Sequence, residues 1–296
     1  MPTRIADTRC ETGEGPLWHP DDAALYWTDL PNGDLYRFDP AVDDHERVLD
    51  HDEAIGGFTI QADGSLLLFT ARSAVRRWVP PTLETPDESG LDPDPIRDPI
   101  PGETDTRFND VITDPRGRVF AGTMPTDDRL GALYRLDTDG TVTTVFDGLD
   151  VPNGMAFDDR ADSFYLTSSA DHVIYRFDYD VDTGAIDNHD VWLETAQDDG
   201  VPDGMIIDDE GSFWSARWNG SCVVHYDSDG TEIERISFPA RKVSSITFGG
   251  PDFETAYVTT AGGDDRDQEG DGAGALFTFD AGVRGRPEYR SRLPTR

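Results

Sequence analysis

Lysine is almost missing from this chain: it occurs once, at Lys242, against 24 arginines. Cysteine is nearly as rare. Cys10 and Cys222 alone exclude a disulfide framework and a thiolate metal cluster. No stretch approaches the roughly 18 consecutive apolar residues of a membrane-spanning helix. Long helical periodicity is absent, and the first residues, MPTRIADTRCETGEGP, contain no apolar secretory core. These absences lead to the expectation of a soluble, cytoplasmic β protein. Positive charge is scarce as well: 25 basic residues face 60 acidic ones, a formal net charge of −35. Such a chain has no basic face to replace counterions at phosphates, so nucleic acid is not an expected partner. The acids are spread along the chain, which reads as adaptation of the whole surface to high salt. At molar salt the Debye length is about 3 Å, short enough to screen this self-repulsion. The melting temperature should therefore climb from dilute buffer to molar KCl; a melt indifferent to salt would refute the reading.

What the chain does contain is a theme repeated six times. Each copy has an apolar segment, a turn at Asp, Gly or Pro, a second apolar or aromatic run, and often a third. The second runs are LYWTD (25–29), LLLFT (66–70), VFAGT (119–123), FYLTS (164–168), FWSAR (213–217) and AYVTT (256–260). They are short, aromatic or β-branched, and bounded by turn residues, as strands are. A period of about 40 to 53 residues with several strands per copy signals a β-propeller. The expected fold is all-β: one domain over residues 1–296, with six blades of four antiparallel strands. TVTTVFDG (141–148) and TEIERISF (231–238) read as fourth strands after Asp-Gly turns. The first strand, Ile5 to Cys10, is expected to complete the last blade and close the ring, which removes exposed sheet edges. The Pro- and acid-rich stretch 80–106 reads as an insertion, and 262–274 as a surface loop, either over the channel mouth or simply solvated.

One position of the theme carries an unusual set of residues. Counting back 11 or 12 residues from Tyr26, Leu68, Phe120, Tyr165, Trp214 and Tyr257 reaches Glu14, Gly56, Asn109, Asn153, Asp203 and Ser245. In a closed ring, equivalent positions converge on one axis. Glu14, Asn109, Asn153 and Asp203 are hard oxygen donors suited to a divalent cation. VPNGMAFDD (151–159) and VPDGMIIDD (201–209) also contain ordinary turn dipeptides, so taken singly each has a turn reading. Their shared phase in four of six copies favours a common site. Arg107, two residues before Asn109, faces the same side on a strand. It suits an anionic or oxygen-rich substrate, or else a salt bridge to a loop acid. Asp110 is either a further carboxylate or a turn-fixing residue. The six histidines lack paired spacing for an imidazole zinc site. Ser168-Ser169 and Ser244-Ser245 lack a nucleophile elbow.

At GEGPLW, LYWTDL, RFNDVITDPRGRVFAGTM, GLDVPNGMAF, VPDGMIIDDEGSFWSARWNG and FGGPDFETAYVTTA, the chain resembles the family of regucalcin (senescence marker protein) and the gluconolactonases. The resemblance covers nearly the whole length. It implies a six-bladed propeller with one divalent cation (Ca²⁺, Mg²⁺, Mn²⁺, Zn²⁺ or Fe²⁺) held by Glu14, Asn153 and Asp203. It also implies Asp203 as the catalytic acid/base and Arg107 and Asn109 as contacts to a sugar lactone. In more distant lactonase and phosphotriesterase propellers the residue like Asn109 binds the metal, so that role stays open. The expected activity is hydrolysis of an aldonolactone. A metal-dependent phosphotriesterase or general lactonase is the first alternative, and a non-enzymatic calcium-binding propeller the second. Asp127 or Asp128, in the short PTDDRL segment (125–130), is the candidate for a further substrate-binding acid.

Overall fold

The computed structural model describes residues 1–81 and 92–295. It contains six four-stranded antiparallel sheets, arranged as a six-bladed β-propeller with almost no helix. The innermost strands are Gly13–His19, Ile55–Ile60, Phe108–Thr113, Pro152–Phe157, Val201–Ile207 and Lys242–Gly249. The ring closes as expected: Thr3–Ala6 pairs with Leu276–Asp280 as the outer strand of the sixth blade. That strand starts and ends earlier than Ile5–Cys10. Residues beyond it turn toward the last blade's loop, where the Cys10 amide donates to the Gly274 carbonyl at 2.9 Å.

Burial explains why the second runs read as unbroken apolar stretches. Ala24–Asp29, Leu66–Thr70 and Val119–Thr123 are buried at every position, because each blade packs against a neighbour on both faces. Phe120 of the third blade, for example, sits 5.7 Å and 5.1 Å from Phe157 and Phe164 of the fourth, centroid to centroid. Outer strands are the reverse. Asp44–Asp50 and Glu232–Ser237 are mostly exposed.

The turns that begin at Asp114 and Asp208 have a local cause. Asp114 Oδ1 accepts from the amides of Arg116 and Arg118 at 2.8 and 3.0 Å. Asp208 repeats this with Glu210 and Ser212. These turns join inner to second strands on the face away from the mouth.

One expectation needs correction, and one segment was not anticipated. The stretch 80–106 is not wholly an insertion: Asp94–Arg97 is the outer strand of the second blade, and Ile96 and Ile100 enter the core. Residues 82–91 of that stretch lie outside the described residues. The C-terminal segment, in which no role was read, straps the far face. The Arg284 carbonyl accepts from Asp209, the Gly285 amide donates to Phe253, Ser291 to Ile60 and Arg292 to Gly117. Arg290 pairs with Asp21 through two contacts of 2.7 Å. Among the described residues, no helix is long and apolar enough to cross a membrane.

Candidate active site

All six innermost strands carry a register shift near their mouth end. Such bulges re-aim side chains beside active sites. Strand pairing also defines equivalence better than counting. The partners of the six reference residues are Leu17, Phe58, Ile112, Ala156, Ile206 and Thr247. Three residues before each stand Glu14, Ile55, Asn109, Asn153, Asp203 and Ser244. The four oxygen donors keep their places. Gly56 and Ser245 do not, because the hairpins differ in length.

The two Gly residues after Asn153 and Asp203 bear on the choice between turn and site. Neither Gly154 nor Gly204 has a positive φ. A Cβ on Gly154 would stand 2.4 Å from the Asp203 carbonyl, and one on Gly204 would stand 2.2 Å from Ser245 Oγ. These glycines let neighbouring inner strands approach, which crowds the preceding side chains around one axis.

Hydrogen bonds across the seams hold the ring. Asn109 Nδ2 donates to the Pro152 carbonyl at 2.9 Å, Ser169 Oγ to the Pro202 carbonyl at 2.7 Å, and Ser244 Oγ to the Gly13 carbonyl at 2.5 Å. Those carbonyls immediately precede Asn153, Asp203 and Glu14. Each is thus pinned by a side chain of the preceding blade. A second relay runs through the side chains. Arg107 donates to Asn109 Oδ1 at 2.6 Å, Asn109 Nδ2 to Asn153 Oδ1 at 2.9 Å, and Asn153 Nδ2 to Ser169 Oγ at 2.9 Å. Asn109 Oδ1 is engaged by Arg107, so in this arrangement Asn109 orients Asn153. Among the described residues Arg107 has no carboxylate partner within salt-bridge distance.

Glu14, Arg107, Asn109, Asn153 and Asp203 line one cavity of about 410 Å³ at the mouth. Asp127 and Asp128 are exposed and do not line it; Met124 does. The walls are more apolar than a sugar site suggests, with Leu30, Met124, Val151, Val201 and Trp218.

The electrostatics favour a cation. Burial, then Asp110, pushes the Glu14 carboxyl up to about 8, while the Gly15 amide and Arg107 oppose the rise. Burial first, then Glu14 and Asp110, raises Asp203 well above the ordinary carboxylate range. Asp203 Oδ1 is buried without a hydrogen-bond partner. Two crowded carboxylates, one with an orphan oxygen, beside an oriented amide oxygen form a hard donor set with unmet demand for positive charge. Among the described residues no three His, Cys, Asp or Glu side chains cluster as a metal site. A cation here would take two carboxylates and an amide, with solvent or substrate completing its shell.

Two contributors were not anticipated. Arg217, fully buried, lies behind Asp203 and lowers its pKa; its guanidinium donates to Ser215 Oγ at 2.5 Å and Tyr226 Oη at 2.6 Å. The signal was present in the sequence, since the second runs otherwise end in Asp29, Thr70, Thr123, Ser168 and Thr260. Glu288, from the C-terminal strap, faces Asp110 in a small cavity of the central channel. Asp110 also accepts from the Val111 amide at 2.7 Å; it lies within the inner strand at its register shift, so the reading of a turn-fixing residue is corrected to one on a strand bulge.

The SMP-30/Gluconolactonase/LRE-like region matches residues 12–262. Pentonolactonase XacC of Haloferax volcanii is 48% identical to this chain, over 98% of this chain and 97% of that protein. Regucalcin of Danio rerio is 32% identical over 85% of this chain and 83% of its own length. A luciferin-regenerating enzyme superposes with a TM-score of 0.89 at 24% identity, covering 99% of both chains. A calcium-binding protein, regucalcin, from Agrobacterium tumefaciens gives 0.87 at 24% identity, over 98% and 97%. The last two are similarities of fold. With sequence matches of this extent around the converged site, the chain belongs to the SMP-30/gluconolactonase family.

Proposed function

We propose that this protein hydrolyses an aldonolactone, with a pentonolactone as the first substrate to try, and that it uses a divalent cation. The observation that carries the reading is the buried pair Glu14 and Asp203 beside Asn153, opening on a cavity that also contains Arg107. The 48% identity to a pentonolactonase over nearly the full length supports the substrate class.

Glu14, Asn153 and Asp203 would hold the cation. When bound, such an ion supplies Lewis-acid polarisation of the lactone carbonyl. The chain's own residues perform the rest. Asp203 accepts one proton of a water molecule as its oxygen bonds to the carbonyl carbon. It returns that proton to the ring oxygen as the carbon–oxygen ring bond breaks, giving the open hydroxy acid. Arg107, charged and facing the cavity, orients substrate oxygens. Asn109 keeps Asn153 presenting its amide oxygen.

The test is a pH-indicator assay of chelated protein on glucono-, galactono-, xylono- and arabinonolactones, with each cation restored in turn. Turnover of at least one lactone, dependent on restored cation, is the expected result. Hydrolysis of an organophosphate but of no lactone would transfer the site to the phosphotriesterase class. Within the active protein, Arg107→Lys should raise KM about tenfold, because an ammonium cannot reproduce the guanidinium's hold on Asn109 and the Phe108 carbonyl. Unchanged steady-state kinetics would remove Arg107 from the substrate.

A further inference from the structure

The chain's one lysine is placed against Trp218, the one aromatic residue of the site's walls among the described residues. Strand pairing makes Lys242 the counterpart of Arg107: each stands two residues before the ring position of its blade, Ser244 or Asn109. Their side chains diverge. Arg107 lines the cavity, whereas the Lys242 ammonium lies 5.2 Å from the ring centroid of Trp218 and 3.1 Å from Glu269 Oε1. Glu269 is buried and also takes two hydrogen bonds from Arg241, at 2.7 and 2.9 Å. The loop over this cluster is close: a Cβ on Gly263 would meet Lys242 Nζ at 2.4 Å. The compact ammonium is thus held at close quarters between Glu269, the indole and the Gly263 backbone. Trp218 ends the second strand of the fifth blade, paired with Val201, and both line the mouth cavity beside Asp203. The indole is partly exposed in the cavity, and an ion pair outside the cavity holds it in place.

We propose that Trp218 is the wall on which the C–H face of the lactone ring stacks, and that Lys242 positions it through a cation–π contact. This rests on the lactone reading of the same site. Indole faces bind C–H and cationic groups, and such contacts are worth about one tenfold step in affinity. The remaining walls, Leu30, Met124, Val151 and Val201, set the same preference: polar groups of the substrate face Arg107 and the carboxylates, and its carbon skeleton faces Trp218.

Two measurements test this. In steady-state assays of the cation-loaded protein, Trp218→Ala should raise KM for the best aldonolactone about tenfold with kcat within threefold. Trp218→Tyr should restore most of the loss. Lys242→Met should raise KM about threefold, with Glu269 still held by Arg241. Independently of turnover, titration with a pentonolactam, which keeps the ring but resists hydrolysis, should change tryptophan emission saturably in the parent protein, and Trp218→Phe should abolish the change. Turnover with an unchanged KM in Trp218→Ala overturns the stacking wall and leaves the lactonase reading intact. A protein that turns over no lactone but shows the Trp218-dependent emission change fails as a lactonase while keeping the wall. Absence of any saturable emission change overturns the wall whatever the turnover.

Discussion

Asp203→Asn should lower lactone turnover by about 10³-fold while leaving the propeller folded and, in chelator, more stable. The substitution keeps side-chain volume and leaves an amide beside Asn153, but removes the proton acceptor. The stability sign follows from the carboxyl's environment. Burial, Glu14 and Asp110 raise the folded-state pKa of Asp203 far above its unfolded value. The stability contributed by its protonated form is fully present below the unfolded pKa and is lost as pH rises through the folded one. Without a cation, the parent protein at pH 8 therefore carries this burden and the Asn variant does not. Restoring a divalent ion should reverse the order, because only the parent offers two carboxylates. Glu14→Gln should resemble it in cation affinity, with turnover reduced about 10²-fold through lost cation and an intact proton acceptor. The checks are a lactone assay and melting curves with and without chelator. Parent-like turnover in Asp203→Asn would exclude the acid/base role. Lost activity with a lower chelated melt would mean Asp203 is a packing residue. The opposition of activity and stability at one side chain is the signature of a site strained for function.

Much of this arrangement was legible in the sequence because ring geometry converts sequence phase into spatial convergence. Glu14, Asn109, Asn153 and Asp203 share a phase set by strands buried on both faces, whose apolar runs are easy to read. Gly56 and Ser245 missed by one residue because counting ignores hairpin length, whereas cross-strand pairing does not. Outer strands were harder. Asp44–Asp50 and Ile186–Glu194 are exposed and rich in acids, so burial imprints little pattern on them. Asp94–Arg97 was hidden for the same reason, within a Pro-rich stretch that reads as loop. Arg217 was missed because a buried charge in a strand has no periodicity; only comparison across the six copies exposes it. Glu288 could not be found by phase at all, since the C-terminal strap lies outside the repeat.

Glu288→Gln provides the second large effect, at the channel's far end. The Glu288 carboxyl is pushed by burial from 4.5 to about 7. Burial, with a smaller contribution from the Glu288 charge and against the Val111 amide, likewise raises Asp110 to about 7. Protonated Glu288 contributes stability that is complete below about pH 4.5 and lost as pH rises through 7. A change of that size corresponds to about 3 kcal/mol in full burial, and the partial exposure of Glu288 reduces it to on the order of 2 kcal/mol. Glutamine has nothing to ionise, so the variant should match the parent at pH 5 and melt roughly 5 °C higher at pH 8. Melting temperatures of both proteins in chelator, from pH 5 to 9, make the comparison. Parallel curves would mean that the carboxyl ionises freely in channel water and that the strap closes the far end by backbone contacts alone. Diverging curves would show that the strap buries the Glu288 carboxyl in the channel cavity that Asp110 also lines.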